Sequence, residues 1–516
     1  MKSNLHKYAL AAAVALLMGA SSMAEAARMS RAPQDNLIYA TSAEPLGLDP
    51  AMVDDNDSGN VNCNIYDSLL RFKKDSTDIE PGLAESWTIS DDGLIYTFKL
   101  RQGVKFHDGT PFNAAAVKYN FDRQQGPNLD PKMTYAPLVF GDVVSTEVVD
   151  DYTLKVTLKK PSTPFLRNLA MAYAAPIASP TALEKYKNLM EHPVGTGPYK
   201  LVTWDRGQQI ILTTNEDYWG EKPPVQNVIF RIMKETSSRV VALNNGEVDI
   251  INGIDANVID QLKSGGSLIY EAEGNNTNYM VYNCRDGYIT ADKEVRHAIS
   301  QAINVPELVA SLYKGYAEYA PSYMPSFMEG YDPNVQSTTY DPEAAKATLE
   351  KKGIKEISIL TYSNARYYNT VGGQVLAEAV QAYLDKVGVK ANIAVYDWST
   401  FKSKLLTDKW DLSFIGWVGD NGDPDNFINI LSANDPISNQ GLWQHPEFIS
   451  LINQATAVPD GPERAALYQK AQAILAEDDG ILPLSHAKTL AAYRPNIEGR
   501  FTNPLGMNYF INVKKH

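Results

Sequence analysis

The sequence predicts a mixed α/β protein built from more than one domain. Without the 26-residue leader described below, 490 of the 516 residues remain, more than a single hydrophobic core normally supports. Segments with the two-residue alternation of strands follow segments with the 3.6-residue periodicity of helices. Because hairpins and strand–helix–strand units both occur, we expect antiparallel and parallel sheet, with the parallel sheet in the second half of the chain.

The predicted elements follow one another along the chain. Alternating apolar residues at Tyr96, Phe98 and Leu100 are typical of a half-buried strand, whereas Val61 and Ile65 repeat at helical spacing. Strands or hairpins are predicted at 36–40, 87–100, 143–158, 193–204, 209–214, 357–362, 391–396 and 410–417. Helices are predicted at 60–72, 113–123 (with Asn113 as N-cap), 294–303, 305–313, 373–387 and 464–478.

The first 26 residues have the pattern of a secretory signal peptide. Lys2 and Lys7 give a positive start, Tyr8 to Ala20 is a short apolar run, and Ala24-Glu25-Ala26 offers small residues for cleavage. The run is short for a membrane span, so an N-terminal anchor is the lesser alternative. The first Cys after it is Cys63, so no lipid-modified N-terminal Cys is expected. We therefore expect an unanchored protein in the periplasm.

Charge and cysteine content narrow the classes of partner. The net charge of −14 disfavours nucleic acid and anionic membranes, and it mainly serves solubility. The two cysteines, Cys63 and Cys284, could pair in an oxidising compartment or remain free and buried. Both alternatives stay open on the sequence.

Sequence signatures of catalysis and of metal binding are missing. The chain has no Gly-x-Ser-x-Gly elbow, no phosphate loop, no His-Glu-x-x-His and no Cys-x-x-Cys. Asp420 to Asp425 resembles the start of a calcium loop, but Leu431 stands where such a loop needs Glu. We therefore expect no metal, no cofactor and no catalytic step.

The most informative segment is Gly416 to Phe427, which reads GWVGDNGDPDNF. It ends an apolar run, Trp410 to Trp417, that predicts a buried strand. Acidic and amide side chains on a tight turn at a strand end are well placed to hold a small cationic group. A large, exported, aromatic-rich chain without catalytic motifs is typical of a protein that captures a small molecule between domains.

Several motifs together resemble one known family. They are Leu83-Ala84-Glu85-Ser86-Trp87, Tyr96 to Arg101, Gly103 to Gly109 with Pro111-Phe112, Gly195 to Tyr199, Asn215 to Tyr218, Glu294 to Ile299 and Pro504-Leu505-Gly506. In combination they resemble the peptide/nickel-binding family of periplasmic solute receptors for ABC importers, over nearly the whole mature chain. The segment Gly416 to Phe427, with Asp420 three residues after Trp417, is most similar to the dipeptide-binding branch of this family.

The resemblance implies a two-lobe periplasmic binding protein fold with a ligand cleft between the lobes. Lobe I would comprise 27–280 plus 488–516, with an inserted subdomain at about 61–195, and lobe II would comprise 281–487. The crossings near 279–283 and 486–489 would form the hinge. Cys63 and Cys284 would lie near the subdomain and hinge edges, which is compatible with a disulfide but does not establish one.

The resemblance also implies a zwitterion clamp. Burying a free peptide desolvates its ammonium and carboxylate, so each needs a countercharge. Asp420 would bind the ammonium, and Arg366 would bind the carboxylate with two parallel hydrogen bonds. The family's usual Arg-Pro-Tyr-Asn reads Arg-Tyr-Tyr-Asn here, which leaves the carboxylate partner and strict dipeptide length open.

Further ligand-binding residues are implied by the same resemblance. Main-chain groups at Gly416 and Val418 would read the peptide as an added strand, and Trp417 and Tyr368 would be flat walls. Asp54 and Asn56 would face the ligand from the other lobe, where an acidic rim would favour cationic side chains; Tyr135 is one more candidate.

The sequence thus predicts a monomeric periplasmic receptor that delivers short peptides, chiefly dipeptides, to an inner-membrane ABC permease. One alternative is the same receptor fold binding a nickel–chelator, haem, an amino-acid conjugate or an oligosaccharide, without the charge pair. A more remote alternative is a secreted hydrolase, which would need two facing carboxylates or a Ser–His pair.

Overall fold

The computed structural model describes residues 35–74, 76–436, 438–499, 501–503 and 505–516. The predicted signal peptide therefore lies outside the described residues. Within these ranges, no helix is both long enough and apolar enough to cross a membrane.

The strands are numbered in chain order. The first seven are β1 (Asn36–Thr41), β2 (Leu70–Phe72), β3 (Ile79–Pro81), β4 (Ala84–Ile89), β5 (Ile95–Leu100), β6 (Val143–Asp150) and β7 (Thr153–Leu158). The next seven are β8 (Tyr199–Asp205), β9 (Gln209–Thr214), β10 (Asn227–Ile232), β11 (Ile250–Ile251), β12 (Leu268–Ala272), β13 (Asn276–Tyr282) and β14 (Ala317–Tyr319). The last are β15 (Glu356–Tyr362), β16 (Lys390–Tyr396), β17 (Leu412–Val418), β18 (Ile481–Ala487), β19 (Thr489–Tyr493), β20 (Ile497–Glu498) and β21 (Lys514–Lys515).

The helices are numbered in the same way. The first seven are α1 (Asn56–Ile65), α2 (Ala114–Asp122), α3 (Ala136–Phe140), α4 (Phe165–Asn168), α5 (Pro180–Tyr186), α6 (Thr236–Asn244) and α7 (Ile259–Ser264). The others are α8 (Lys293–Ala302), α9 (Val305–Tyr313), α10 (Pro342–Lys352), α11 (Gly373–Lys386), α12 (Trp398–Thr407), α13 (Pro424–Ile428), α14 (Pro446–Ala457) and α15 (Pro462–Glu477). Short 3₁₀ turns occur at Gly126–Asn128, Ile289–Ala291 and Asn429–Ser432.

Three sheets organise the fold. The first sheet has the order β12-β19-β11-β1-β10-β9-β8, with β1 parallel to β10 and β11. The second sheet has the order β14-β18-β13-β17-β15-β16, with β15 parallel to β16 and β17. A small antiparallel sheet has the order β4-β5-β7-β6. We call the part around the first and small sheets the first lobe and the part around the second sheet the second lobe.

The mixed α/β class is confirmed, whereas the predicted position of the parallel sheet and the predicted length of the first helix are corrected. Parallel pairs occur in both large sheets, not in the second half alone. The helix predicted to run to residue 72 ends at Ile65, whose carbonyl accepts a hydrogen bond from the Gly197 amide at 2.9 Å. That carbonyl is therefore bonded to a distant turn and not to a further turn of the helix. Leu70–Phe72, predicted as the end of the helix, is a strand paired with Ile79–Pro81.

Each sheet has its own buried core. The second sheet packs against one large apolar cluster, the small sheet against another, and the first sheet lies between two more. Separate cores are what allow two lobes to move as bodies.

The two connections between the lobes are joined side by side. The chain leaves the first sheet after Ala272 and enters the second at Asn276; it returns between Ala487 and Thr489. The Asn276 side chain donates to the Ala487 carbonyl at 2.7 Å and accepts from the Ala487 amide at 2.9 Å. All of β13 pairs with β17, so we propose that the first crossing lies at 273–275 and not at 280–281, which would divide this strand.

The two cysteines are free thiols, so the disulfide alternative is wrong for this structure. Cys63 lies within α1, where its Sγ donates to the Asn508 carbonyl at 3.2 Å. Cys284 follows β13 in the second lobe, and its amide is bonded to Gly441. Burial raises the pKa of both thiols, that of Cys284 to about 11.

Candidate functional site

The candidate site lies where the parallel strands of the two large sheets end. In the second lobe β15, β16 and β17 run in the same direction, so the segments that follow them meet at one edge of the sheet. In the first lobe the same is true of the segments that follow β1 and β11. The carboxyl ends of parallel strands are where ligands bind in open α/β sheets.

A tight turn after β15 carries the first candidate residues. The amide of Arg366 donates to the Asn369 carbonyl, and the Asn369 amide donates back to the Arg366 carbonyl, both at 2.9 Å. Asn369 is fully buried and fixes the turn by accepting from Tyr313 and donating to Tyr362. Tyr367 and Tyr368 therefore occupy the tip of the turn.

The two tyrosines at the tip point in different directions. Tyr368 is only 5% exposed, and its ring packs so closely on Gly416 that a Cβ there would lie 2.3 Å from ring carbons. The sequence predicts Tyr368 as a flat wall of the ligand site, but the ring lies beneath the end of β17. Tyr367, by contrast, is 40% exposed and enters the space between the lobes.

The Arg366 guanidinium is held by an aromatic ring. Its central carbon lies 4.1 Å from the ring centroid of Trp398. Trp398 is the first residue of α12 and follows the N-cap Asp397, which comes directly after β16. Among the described residues Arg366 forms no ion pair within 4.0 Å. Its positive charge acts on Asp57 of the first lobe and on Tyr368.

The end of β17 presents main-chain groups on one edge. Asn276 and Asn278 of β13 pair with Val418 and Gly416 on one side. On the other side, the pairing with β15 extends from Leu412 only to Ser413. Within the described residues, no strand covers that edge of Gly416 and Val418, so an extended ligand has room to pair there.

Asn426 organises the turn after β17. Its Oδ1 accepts from the indole nitrogen of Trp417 at 3.1 Å and from the main-chain amide of Asp420 at 3.0 Å. Trp417 and Asp420 are thereby fixed relative to each other. Gly422 in the same turn has a φ of +67° and lies against Thr77 of the first lobe.

Asp420 is a half-buried residue whose carboxyl lies between the lobes. Its Oδ2 accepts from the hydroxyl of Tyr135 in the first lobe at 2.9 Å. Burial and, to a smaller extent, the nearby charge of Asp54 raise the pKa of Asp420 to about 7. Hydrogen bonds from Tyr135 and Asn426 act in the opposite direction. No described Lys or Arg pairs with this carboxyl.

The first lobe contributes further acidic and amide groups. Asp54 is exposed, with a long contact of 3.4 Å from Thr134, and Asn56 accepts from Tyr173 at 3.5 Å while its Nδ2 has no partner in the described structure. Burial raises the pKa of Asp57 to about 6, and its hydrogen bond from Thr41 and the charge of Arg366 lower it.

Asp423 has a larger role than shaping the turn. It is the N-cap of α13 and accepts from the Asp425 amide at 2.9 Å, as a turn residue should. It also forms a fully buried ion pair with Arg464 at 2.7 Å. Arg167 of the first lobe reaches the same carboxylate at 3.3 Å and Asp460 at 2.9 Å. We call Arg167, Asp423, Asp460 and Arg464 the interlobe latch.

Comparison with known proteins gives the family. The model for bacterial extracellular solute-binding proteins, family 5 Middle, matches residues 78–439. The chain belongs to this family. This family 5 protein is 34% identical to heme-binding protein A of Haemophilus influenzae, with 97% of each chain covered. It is 32% identical to the dipeptide-binding protein of Escherichia coli K12, with 92% of this chain and 94% of that protein covered.

Solved structures agree with the fold. The periplasmic binding protein DppA of Helicobacter pylori, solved with the peptide STSA, superimposes with a TM-score of 0.82 at 32% identity. The match covers 93% of this chain and 98% of that one. The family 5 protein is therefore an extracellular solute-binding protein with the two-lobe α/β fold of this class.

The structure brings together most of the predicted site residues but adds others. Asp420, Trp417 and the edge of Gly416 and Val418 lie at one strand end, and Arg366 lies at the next. Further residues of the site were missed: Asp57, Tyr173, Asn252, Tyr367, Trp398 and Asn426. Trp398 could have been found, because it follows the third strand predicted to end at this edge.

Proposed function

We propose that this protein captures short peptides, chiefly dipeptides, between its lobes and delivers them to an ABC permease in the inner membrane. One observation carries the proposal: Asp420 is a carboxyl enclosed between the lobes with no cationic partner among the described residues. A ligand ammonium would supply the missing countercharge. The relatives named for dipeptide binding and solved with a peptide support the same ligand class.

The surroundings of Asp420 suit an ammonium group. In the ligand-free arrangement a proton can take the place of the countercharge, since the pKa of the carboxyl is about 7. An ammonium would displace that proton and donate to the carboxylate. Tyr135 would keep its hydrogen bond to Oδ2, so the ligand needs to satisfy only the remaining lone pairs.

Arg366 and the free edge of β17 supply the rest of a peptide site. The guanidinium has no carboxylate partner among the described residues, and stacking on Trp398 orients it without neutralising its charge. The main-chain edge at Gly416 and Val418 lies on the strand that leads to Asp420. Main-chain pairing ignores side-chain identity, so we expect broad side-chain specificity.

Calorimetry with a matched variant tests the proposal. Wild type, Asp420→Asn and Asp91→Asn would be titrated with di-, tri- and tetrapeptides, free amino acids, haem and Ni²⁺. Asp420→Asn should weaken peptide binding by roughly thirtyfold or more, since losing one partner of a buried charge pair costs about 2 kcal/mol or more. Asp91 is exposed in the β4–β5 turn and should change nothing.

Two results would contradict the proposal. One is the absence of binding heat with every peptide, and the other is equal peptide affinity in wild type and Asp420→Asn. Haem is included because a relative is named for it. The acidic groups Asp54, Asp57 and Asp420 would repel haem propionates, so we expect haem to bind more weakly than peptide.

The cellular setting is part of the same proposal. We propose export by a leader of residues 1–26 with cleavage near Ala26, which the sequence pattern supports, and a free, monomeric, non-enzymatic protein in the periplasm. Mass spectrometry of protein released by osmotic shock would check the cleavage site and the absence of a lipid. A single-protomer mass in light scattering would check the oligomeric state.

A further inference from the structure

We propose that Tyr367 limits the length of the ligand by closing the cleft just beyond Arg366. This inference rests on the proposed function, because it concerns the peptide site itself. Its starting point is the position of Tyr367 at the tip of the Arg366–Asn369 turn, next in sequence to the candidate carboxylate partner.

The Tyr367 side chain reaches from the second lobe to the first. Its hydroxyl accepts from Asn252, the residue after β11, at 3.5 Å. The side chains of Asn56 and Asn60 on α1 also lie near this hydroxyl, as does the carboxyl of Asp57. The side chain of this second-lobe residue therefore ends among first-lobe residues that follow the parallel strands β1 and β11.

The end of the Tyr367 side chain and the Arg366 guanidinium share one neighbour, Asp57 of the first lobe. Both the guanidinium and the hydroxyl act electrostatically on the carboxyl of Asp57. Because Tyr367 also follows Arg366 in the same turn, we infer that its ring stands beside the place where a ligand carboxylate would meet Arg366.

The ring is fixed at its base and has spare donors at its tip. Asn369 is fully buried and holds the turn by two side-chain hydrogen bonds, so the Tyr367 main chain has little freedom. The Nδ2 atoms of Asn56 and Asn60 have no partner in the described structure. Both side chains lie near the Tyr367 hydroxyl, so they offer further donors for a contact between the lobes.

The consequence for ligands is a length limit. Each added residue lengthens an extended peptide by about 3.4 Å. With its ammonium held at Asp420, a dipeptide would place its carboxylate at Arg366, before the Tyr367 ring. A longer peptide would have to move the ring out of the cleft and break the contact with Asn252. We therefore expect tri- and tetrapeptides to bind more weakly than dipeptides.

The test compares length preference among variants. Wild type, Tyr367→Ala and Tyr367→Phe would be titrated with Ala-Ala, Ala-Ala-Ala and Ala-Ala-Ala-Ala. Wild type should bind the longer peptides at least tenfold more weakly than the dipeptide. Tyr367→Ala should reduce that ratio below threefold, while Tyr367→Phe should keep most of it because the ring remains. Tyr340→Ala is the control, since Tyr340 is similarly exposed and packs on Tyr383.

The outcomes separate this inference from the proposed function. Equal affinity of wild type for all three peptides, or an unchanged ratio in Tyr367→Ala, would overturn the length limit while leaving a peptide receptor. Absence of binding with every peptide would overturn both. Circular dichroism and thermal denaturation of the variants would show that altered binding does not reflect loss of the fold.

Discussion

At the scale of single residues, Asp420 couples protonation to the position of the lobes. Tyr135 and the charge of Asp54 in the first lobe both act on its carboxyl, so its environment depends on how the lobes meet. When the lobes separate, water solvates the carboxylate and its pKa should return toward the ordinary value of 3.8. The closed form without ligand therefore binds more protons than the open form.

This coupling predicts that acid favours closure of the empty protein. The pKa of Asp420 is about 7 when closed, and that of Asp57 about 6. The stabilisation of the closed form is thus fully present below about pH 4 and is lost as the pH rises through 7. Small-angle scattering should show a smaller radius of gyration at pH 5.5 than at pH 8.

A variant without the titrating group isolates the effect. Asp420→Asn carries no charge at either pH, so it should be compact at both and show a smaller difference than wild type. Asp91→Asn should behave like wild type. A radius that does not change with pH in wild type, or changes equally in Asp420→Asn, would contradict the coupling.

Residue roles were predictable where the partners lie close in sequence. The segment from Trp417 to Asn426 contains its own hydrogen-bond network, so a turn holding Asp420 was visible in the sequence. Tyr367 meets Asn252, 115 residues away, and Arg464 pairs with Asp423 at a distance of 41 residues. No local pattern reports such pairs, because they depend on how distant segments meet, across the lobes for Tyr367 and within the second lobe for Arg464.

At the scale of elements, the end of β17 depends on one buried amide. Asn426 is 3% exposed and accepts from both Trp417 and the Asp420 amide. Without it, the indole N–H and the main-chain N–H would lose their acceptor in a largely enclosed place. Unsatisfied groups of this kind cost about 1–3 kcal/mol each.

We therefore predict that Asn426→Ala lowers both stability and ligand affinity. The free energy of unfolding should fall by about 1–3 kcal/mol in urea denaturation. Peptide affinity should fall as well, because Asp420 is no longer fixed relative to Trp417. Asn334→Ala is a matched control, since Asn334 is exposed in a turn of the second lobe. A variant as stable as wild type would show that water replaces the amide.

Element prediction succeeded for self-contained patterns and failed where a distant turn intervened. The hairpins of β4–β5 and β6–β7 follow from alternation and turn residues alone. The end of α1 at Ile65 does not, because it depends on the approach of Gly197 more than 130 residues later. The apolar spacing of Val61, Ile65 and Leu69 fits a longer helix equally well.

At the scale of the whole molecule, the interlobe latch holds the closed arrangement. Arg167 is the part of the latch that crosses between the lobes, since Arg464, Asp423 and Asp460 all belong to the second. Thr163 and Asn168 of the same segment add hydrogen bonds to Val458 and Asn421. Closure therefore has support that does not involve the ligand.

We predict that Arg167→Ala opens the empty protein without unfolding it. Asp423 keeps its buried pair with Arg464, so the midpoint of thermal unfolding should change little. Scattering should show a larger radius, and peptide affinity should fall by a fewfold to tenfold, as expected for a partly exposed ion pair. Arg206→Ala removes an ion pair within the first lobe and is the control. An unchanged radius would contradict the role of the latch.

The two-lobe architecture followed from resemblance and not from periodicity. Composition and periodicity indicated a mixed α/β protein of several domains, but neither shows which strands share a sheet. β13 illustrates the limit: its continuous burial suits either lobe, and only its pairing with β17 assigns it to the second.

The reciprocal hydrogen bonds between Asn276 and Ala487 have a kinetic consequence. They tie the two crossings into one narrow band, so the lobes should rotate about a single axis instead of sliding in several directions. A ligand enclosed between them would then leave by one collective opening. Its residence time would report the frequency of that rotation as well as the strength of the contacts it makes.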